Sequence, residues 1–577
     1  MKLAEALNLV MRMRSRGGNL LPCCIAAGIN PLHLKTFLTA ELSLLCPDQT
    51  VEIREGIYGD LVGNVRRLSI GDDLEFGAVL IEWTDLDPRL GVRSAAKWSN
   101  SELSDILTTA KGRSSRLRQA IEEVGLHLPL TICFPSLPLP PYSFASSWQM
   151  SEFELDLRTI VQSLASDVCR LAGVGVLSSQ SLDQQSPMAA RLDIESDIRT
   201  GFPYSLSHAS ALAALLAQFA KRPVPKKGLI TDLDDTLWRG ILGEIGIGGI
   251  SWDLEHGSQM HAFYQRFIGA LASEGVLIGI ASKNDHGLVE EALRRSDLAL
   301  SPTMFFPVEA RWTPKSQSVA RILKTWNVGS ESVVFIDDSP FELEEVNLAF
   351  PNIECVRFPT KDNTAIYNLT LHLRNLFGKR TVFEEDTIRL ESIRRAHSDA
   401  NVNAGASLTE PLDHTETEIT FNSGKTPPDP RALELVNKTN QFNLNGQRYS
   451  EASWHRLLLD PNSFLLVASY RDKFGPLGKI AVIAGHRYKR KLTINTWVMS
   501  CRAFSRRVEY RCLVELIAQF DPEEIEFQYA RTERNEPLHN FLGEILGTSP
   551  SPGCAVSRKM AEIRADASLN RQESING

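Results

Sequence analysis

Apolar and polar positions fall into blocks along this chain. Short apolar runs of strand length end in polar clusters, and stretches with helical spacing separate them. LLPCCIAAG reads as a buried strand, followed by INPLHLKTFLTAELSLL as a helix with Pro31 in its first turn. FGAVLIEWTDLD and LTICFPSLPLPPYS are further strands, the second entering a proline-rich loop where pairing stops. SDVCRLAGVGVLSS repeats the helix-to-strand rhythm. The middle of the chain is sharper: GLITDLDDTLW, GVLIGIASKND and SVVFIDDSP are buried strands, each ending in a polar cluster. This alternation predicts parallel sheets with crossover helices, whose sites lie at the carboxyl ends of the strands. Further on, a helix around Arg431–Lys438, the strands SFLLVASYRD, KIAVIAGHRY and KLTINTWVM, and the helix VEYRCLVELIAQF predict antiparallel strands with flanking helices.

The expected organisation is an N-terminal helix over 1–19, a parallel-sheet domain over 20–222, a second over 223–380, a mixed α/β domain over 381–555 and a polar tail over 556–577. The length of 577 residues requires several cores. A net charge of −8 excludes a broadly basic nucleic-acid binder, and no apolar run approaches the ~18–20 residues of a membrane span. The nine cysteines are sparse and form no CxxC pair, so they read as reduced thiols. The first residues lack the continuous apolar core of a secretory signal. A cytoplasmic protein without nucleic-acid or membrane partners is the expectation.

Four polar elements follow one another in order. They are Asp232-Leu233-Asp234-Asp235-Thr236, then Ser282-Lys283-Asn284, then Lys315, then Asp337-Asp338. This ordered set resembles the haloacid dehalogenase (HAD) superfamily of phosphoryl-transfer enzymes. Cleavage of a phosphate ester at a carboxylate needs an in-line nucleophile, a role that suits Asp232. Asp234, two residues on, suits the general acid and then the base for water. Two carboxylates facing a phosphate need a hard cation between them. Mg²⁺ would be held by Asp232, the backbone carbonyl of Asp234 and Asp337, with Asp338 directly or through water. Ser282, Lys283, Asn284 and Lys315 would meet substrate, with Lys315 offsetting transition-state charge. Asp235 reads as a loop or cap residue. Only 45 residues separate Thr236 from Ser282 and 21 separate Lys315 from Asp337, so neither gap holds a large cap domain.

The surroundings narrow the resemblance. TDLDDTLWRGILGEIG, IASKND, WTPKSQS and FIDDSPFELEEV look like the FkbH-like branch of that superfamily. ELVNKTNQFNLNGQRYS and INTWVMSCRAFSRRVE are similar to the GNAT-like segments that follow it. GINPLHL, EIREGIYGD, LIEWTDLDPR and DIRTGFPYSLS resemble the SGNH-like domain of longer members. The resemblance implies a Rossmannoid HAD core without a large cap, flanked by SGNH-like and GNAT-like domains. It also implies a glyceryltransferase/phosphatase. Such an enzyme takes the glyceryl unit of 1,3-bisphosphoglycerate, removes phosphate and loads a thioester on the phosphopantetheine arm of an acyl carrier protein, for polyketide-type products.

Acyl transfer points to a thiol relay, with Cys501 the candidate among Arg502, Arg506 and Arg507. Cys512, Cys23 and Cys24 read as core. His455, His486 and His539 are the available bases. Asn437, Lys438, Thr439, Asn440 and Gln441 would bind the glyceryl or pantetheine group. The chain departs from family patterns in three places. Phe504–Val508 has no glycine where a GNAT pyrophosphate loop offers them, Gly28-Ile29-Asn30 stands where an SGNH hydrolase has its nucleophile, and Arg239 stands where glycine is common. No Ser–His pair is apparent around His208, so the first domain is expected to be non-hydrolytic. The alternatives are a simple Mg²⁺-dependent phosphatase acting on a sugar- or carrier-linked phosphate, and a non-catalytic docking scaffold.

Overall fold

The computed structural model describes residues 1–14, 18–68, 73–94, 98–141, 145–171, 173–391, 393–394, 418–472, 475–500 and 507–570. The expected α/β class holds: two parallel sheets and one mixed sheet carry the described chain. It packs into two compact units. The first is Met1–Pro223 with Arg448–Pro461, and the second is Val224–Gln447 with Asn462–Gly577.

The first unit is built on β1 (Asn19–Ala27), β2 (Gln49–Glu55), β3 (Phe76–Leu80), β4 (Leu130–Cys133) and β5 (Val174–Val176). All pair in parallel, in the order β2-β1-β3-β4-β5. Every residue of β3 and β4 is buried, as strands covered by helices on both faces must be. The helix Glu451–Leu459 belongs to this unit. Its Glu451 lies 3.5 Å from Arg222, and Arg456 pairs with Asp73 and Glu75.

The second unit begins with β6 (Gly228–Thr231), β7 (Leu277–Ser282), β8 (Phe305–Ala310), β9 (Val333–Asp337) and β10 (Glu354–Arg357). These form a second parallel sheet, β10-β9-β6-β7-β8. The central strands β6, β7 and β9 are wholly buried, whereas the edge strands β8 and β10 are mostly half-buried. Two glycines let a helix approach this sheet. A Cβ at Gly228 or Gly279 would stand 2.5 or 2.9 Å from the Trp326 ring. Trp326 ends the helix Lys315–Trp326 and donates its indole N–H to the Phe306 carbonyl at 2.7 Å. The tight Trp326 contact therefore locates the helix that carries Lys315.

The mixed sheet has seven strands among the described residues. They are β11 (Glu418–Asn422), β12 (Phe442–Asn443), β13 (Ser463–Asp472), β14 (Gly475–Tyr488), β15 (Lys491–Met499), β16 (Glu524–Phe527) and β17 (Cys554–Ser557). Its pairs are antiparallel except β15–β16, which is parallel. That parallel pair is possible because the helix Val508–Phe520 makes the crossover. The helix buries Cys512, Leu513 and Leu516 in the same core as Trp497 and Phe541, whose rings meet edge-on at 5.3 Å. Among the described residues, no helix is long and apolar enough to cross a membrane.

Candidate active site

Because β6, β7 and β9 run parallel, their carboxyl ends deliver Asp232, Ser282 and Asp337 to one edge of the second sheet. Asp232 continues the ladder, its N–H donating to the Ile336 carbonyl at 2.9 Å. Lys315 reaches the same edge from the first turn of its helix. Its Nζ lies 2.9 Å from Asp232 Oδ2 and also pairs with Asp337. All three side chains are buried. Asp232, Asp337 and Asp338 each offer a carboxylate oxygen, and these oxygens lie within 4.8 Å of one another.

Asp232 Oδ1 is buried and has no hydrogen-bond partner. A buried carboxylate oxygen without a donor is costly unless a cation completes its shell. Charge makes the same demand, since one ammonium faces three carboxylates. Burial, with the Asp232 charge adding to it, pushes the Asp337 carboxyl up to about 7, against the pull of Lys315. Asp338 is raised by burial and then by Asp232 and Asp235. Burial alone would lower the Lys315 ammonium, but Asp232 and Asp337 outweigh it and hold its proton above the ordinary range. A hard divalent cation with oxygen ligands fits this donor set, and Mg²⁺ meets that description.

The Asp234 carboxylate lies outside this cluster. Its Oδ1 accepts from Trp238 Nε1 at 3.0 Å and the Leu242 N–H at 3.1 Å, and its Oδ2 from Asn284 Nδ2 at 3.0 Å. Burial raises its carboxyl above the usual range, and these donors pull it back. Asn284 also donates to Ser282 Oγ at 3.1 Å, which ties the β6 and β7 ends together. Asp235 is a turn residue, with φ of 50° and a carboxylate accepting from the Gly240 N–H at 2.8 Å. The exposed Arg239 donates to the His256 carbonyl at 2.8 Å. Lys283 pairs with Glu342 at 2.7 Å.

Glu345 also supports the site, without a sequence motif of its own. Its carboxylate accepts from the N–H groups of Lys315 at 3.3 Å and Ser316 at 3.1 Å, capping the helix that presents Lys315. Lys315 and Glu345 are 30 residues apart, and no local motif marks the pairing.

The other proposed site residues sit elsewhere. The segment 437–441 joins the helix Pro430–Lys438 to β12 in the mixed sheet. There Lys438 pairs with Glu434, Thr439 is buried, Asn437 and Asn440 are half-buried, and Gln441 is exposed. Cys501, Arg502 and Arg506 lie outside the described residues. Cys512, Cys23 and Cys24 are buried in the cores, and burial pushes the Cys23 thiol up to about 12. His486 Nδ1 lies 3.1 Å from Asn495 Oδ1 and His539 Nδ1 lies 2.8 Å from the Tyr529 hydroxyl. His455 is on the helix packed in the first unit.

One expectation for the first unit is corrected. A Ser–His pair does exist: Ser136 Oγ lies 2.9 Å from His208 Nε2, and Ser186 Oγ lies 2.9 Å from His208 Nδ1. Local pattern does not mark it, because 72 residues separate Ser136 from His208. Ser136, however, donates its hydroxyl proton to Glu82 at 2.7 Å. His208 Nε2 must then donate to Ser136 Oγ, and Nδ1 accepts from Ser186. The ring is neutral, with burial first and then the Arg191 charge lowering it to about 3. In this arrangement His208 does not draw the proton from Ser136. Glu82 also accepts from the Tyr204 hydroxyl at 2.9 Å and the Ser136 N–H at 3.2 Å. The network reads as a buried, fully satisfied polar core.

No family model matches the chain, and no curated protein matches it. Among solved structures, it is similar to the N-terminal part of the protein BF1531 from Bacteroides fragilis, described as containing a phosphatase domain complexed with Mg. The TM-score is 0.50 at 18% identity, covering 66% of this chain and 100% of that one. At that identity the likeness shows a shared fold. A GCN5-related glucosamine N-acetyltransferase region of a fungal GH3 β-N-acetylglucosaminidase superposes with a TM-score of only 0.15 at 10% identity, covering 93% of this chain and 64% of that one. That superposition carries no argument about this fold.

Proposed function

We propose that this chain is an Mg²⁺-dependent phosphatase of the HAD type, with Asp232 as nucleophile. The carrying observation is the group of Asp232, Asp337 and Asp338 around Lys315, with Asp232 Oδ1 buried and unpartnered. The similar Bacteroides fragilis structure, described with a phosphatase domain and Mg, supports the same reading. Mg²⁺ held by Asp232, Asp337, Asp338 and the Asp234 carbonyl would screen the phosphate from these acids and stabilise its developing charge. An Asp232 oxygen attacks phosphorus, and the bond from phosphorus to the leaving oxygen breaks. Asp234, whose carboxyl burial raises above its ordinary range, gives that oxygen its proton. Water then attacks the aspartyl-phosphate and loses a proton to Asp234, releasing orthophosphate and restoring Asp232. Lys315 and Ser282 hold the phosphoryl oxygens, Lys283 and Asn284 line their approach, and the Glu345 cap keeps Lys315 in place.

The finer reading rests on the sequence resemblance. The phosphatase is one half of an FkbH-like glyceryl-loading enzyme of the cytoplasm, and the first domain is non-hydrolytic. The Cys501 thiolate attacks the acyl carbon of 1,3-bisphosphoglycerate, forming a thioester and expelling the acyl phosphate, and the Asp232 site hydrolyses the remaining phosphate ester so that the carried unit is glyceryl. The phosphopantetheine thiol of an acyl carrier protein then takes the acyl group. Arg502 and the segment Asn437–Gln441 orient the glyceryl unit and the arm.

Intact-mass spectrometry of enzyme and carrier after incubation with 1,3-bisphosphoglycerate and Mg²⁺ tests both halves. A glyceryl adduct on the wild type that is absent from Cys501→Ala is expected. An unchanged adduct on that variant would exclude Cys501. Phosphate release without any thioester would leave the simple phosphatase, and release from a phosphate monoester that persists in EDTA would overturn the metal-dependent reading.

A further inference from the structure

The first sheet has an edge that the phosphatase reading does not use. Its order, β2-β1-β3-β4-β5, reverses direction beside β1, so the crevice over the carboxyl end of β1 is a topological switch point. A cavity of about 440 Å³ lies there, within the size range of small-molecule pockets. Its wall includes Asn30 and Pro31 after β1, Glu55 and Tyr58 at and beyond the end of β2, and Arg93 with Thr200.

The wall is held in place. Asn30 receives the Leu32 N–H at 3.2 Å, donates its side-chain amide to the Thr200 carbonyl at 3.1 Å, and donates its N–H to the Gly201 carbonyl at 2.9 Å. Gly201 has φ of +75°, and a Cβ there would stand 2.7 Å from the Tyr58 ring and 2.9 Å from an Arg93 nitrogen. Arg93 stacks over Tyr58 at 5.6 Å and donates to the Asp197 carbonyl at 2.8 Å. Yet Tyr58 remains 55% exposed, so the stacked pair is built without being covered.

Charge indicates what the cavity takes. Glu55 is paired with Lys35 at 3.4 Å. A second arginine of the wall, Arg199, is paired with Glu195 at 2.6 Å. Among the described residues, Arg93 closes no ion pair, although burial raises the Asp197 carboxyl and the Arg93 charge draws it back down. The helix Leu32–Leu45 starts at Pro31, so the positive end of its dipole adds to the Arg93 charge. We propose that this cavity binds a small organic anion, its phosphate or carboxylate against Arg93 and its apolar body on Tyr58. No hydrolysis is implied.

Calorimetric titration of the full chain in EDTA, with phenyl phosphate and with benzoate, tests this. Binding of at least one probe is expected, weakened about tenfold or more by Arg93→Ala, partly kept by Arg93→Lys, and unchanged by Asp232→Asn. The tighter probe identifies the anion class. Tyr58→Ala should weaken both probes, and circular dichroism confirms that each variant is folded. Failure of both probes to bind, or binding indifferent to Arg93→Ala in a folded variant, would overturn the proposal. So would binding lost in Asp232→Asn, which would assign the signal to the phosphatase edge. The phosphatase reading stands or falls separately, on phosphate release.

Discussion

Two parallel sheets of this chain each bury acids near their carboxyl ends, with opposite results. Near the end of β3, Glu82 accepts from Ser136, Leu137 and Tyr204 and is satisfied. At the ends of β6 and β9, Asp232 keeps an oxygen without a partner and shares its space with two more acids. A buried acid surrounded by donors behaves as structure. One that lacks donors and sits among like charges is arranged for something that arrives. The Ser136–His208 contact shows why proximity alone is a poor guide: the direction of the Ser136 proton, towards Glu82, decides against activation.

Substitution can break this contrast. Asp232→Asn is expected to lower phosphate release from a phosphate monoester by about three orders of magnitude or more, while Ser136→Ala leaves it near wild type. A phosphate-release assay on both purified proteins checks this, and a loss in Ser136→Ala would erase the distinction. Glu82→Ala leaves several buried donors without an acceptor. It should destabilise by about 3 kcal/mol in denaturant titration without removing an adduct-forming group.

Asp85, next to Glu82, sharpens the comparison through pH. Burial lifts its carboxyl from 3.8 to about 7, with the Glu82 charge adding and the Glu82 N–H opposing. Because the folded state holds this proton more tightly than the unfolded state, its stabilising contribution is full below pH 3.8 and is lost as pH rises through about 7. Asp85→Asn removes that loss, so the variant's stability should fall less than wild type between about pH 5 and 8. Thermal melts at both pH values measure it. The smallest effect belongs to Arg222→Ala. It breaks a partly exposed pair with Glu451 and should cost under about 1 kcal/mol in the same melts.

Much of the Asp232 site was legible along the chain. Asp232, Ser282 and Asp337 each close an apolar run, so their position at strand ends was readable from local pattern, whereas the structure puts Lys315 at the start of a helix instead of at a strand end. Their convergence followed from parallel pairing. Glu345 and the Ser136–His208 contact were not legible, because each partner lies 30 or more residues away with no periodic signal. Nor did local pattern reveal that Arg448–Pro461 packs with the first unit, since its anchors Arg222, Asp73 and Glu75 lie more than two hundred residues earlier.

By itself, the sequence determined the central buried strands β1, β3, β4, β6, β7 and β9 and the ordered acids, because periodicity and strand-end polarity are local properties of the chain. Tertiary structure alone decided which acids are left unsatisfied, which way the Ser136 proton points, and that Arg93 stacks on Tyr58 at the rim of a cavity. Those outcomes depend on groups brought together from distant parts of the chain. In a buried, low-dielectric setting, a single hydrogen bond present or missing decides whether a polar group is structure or site.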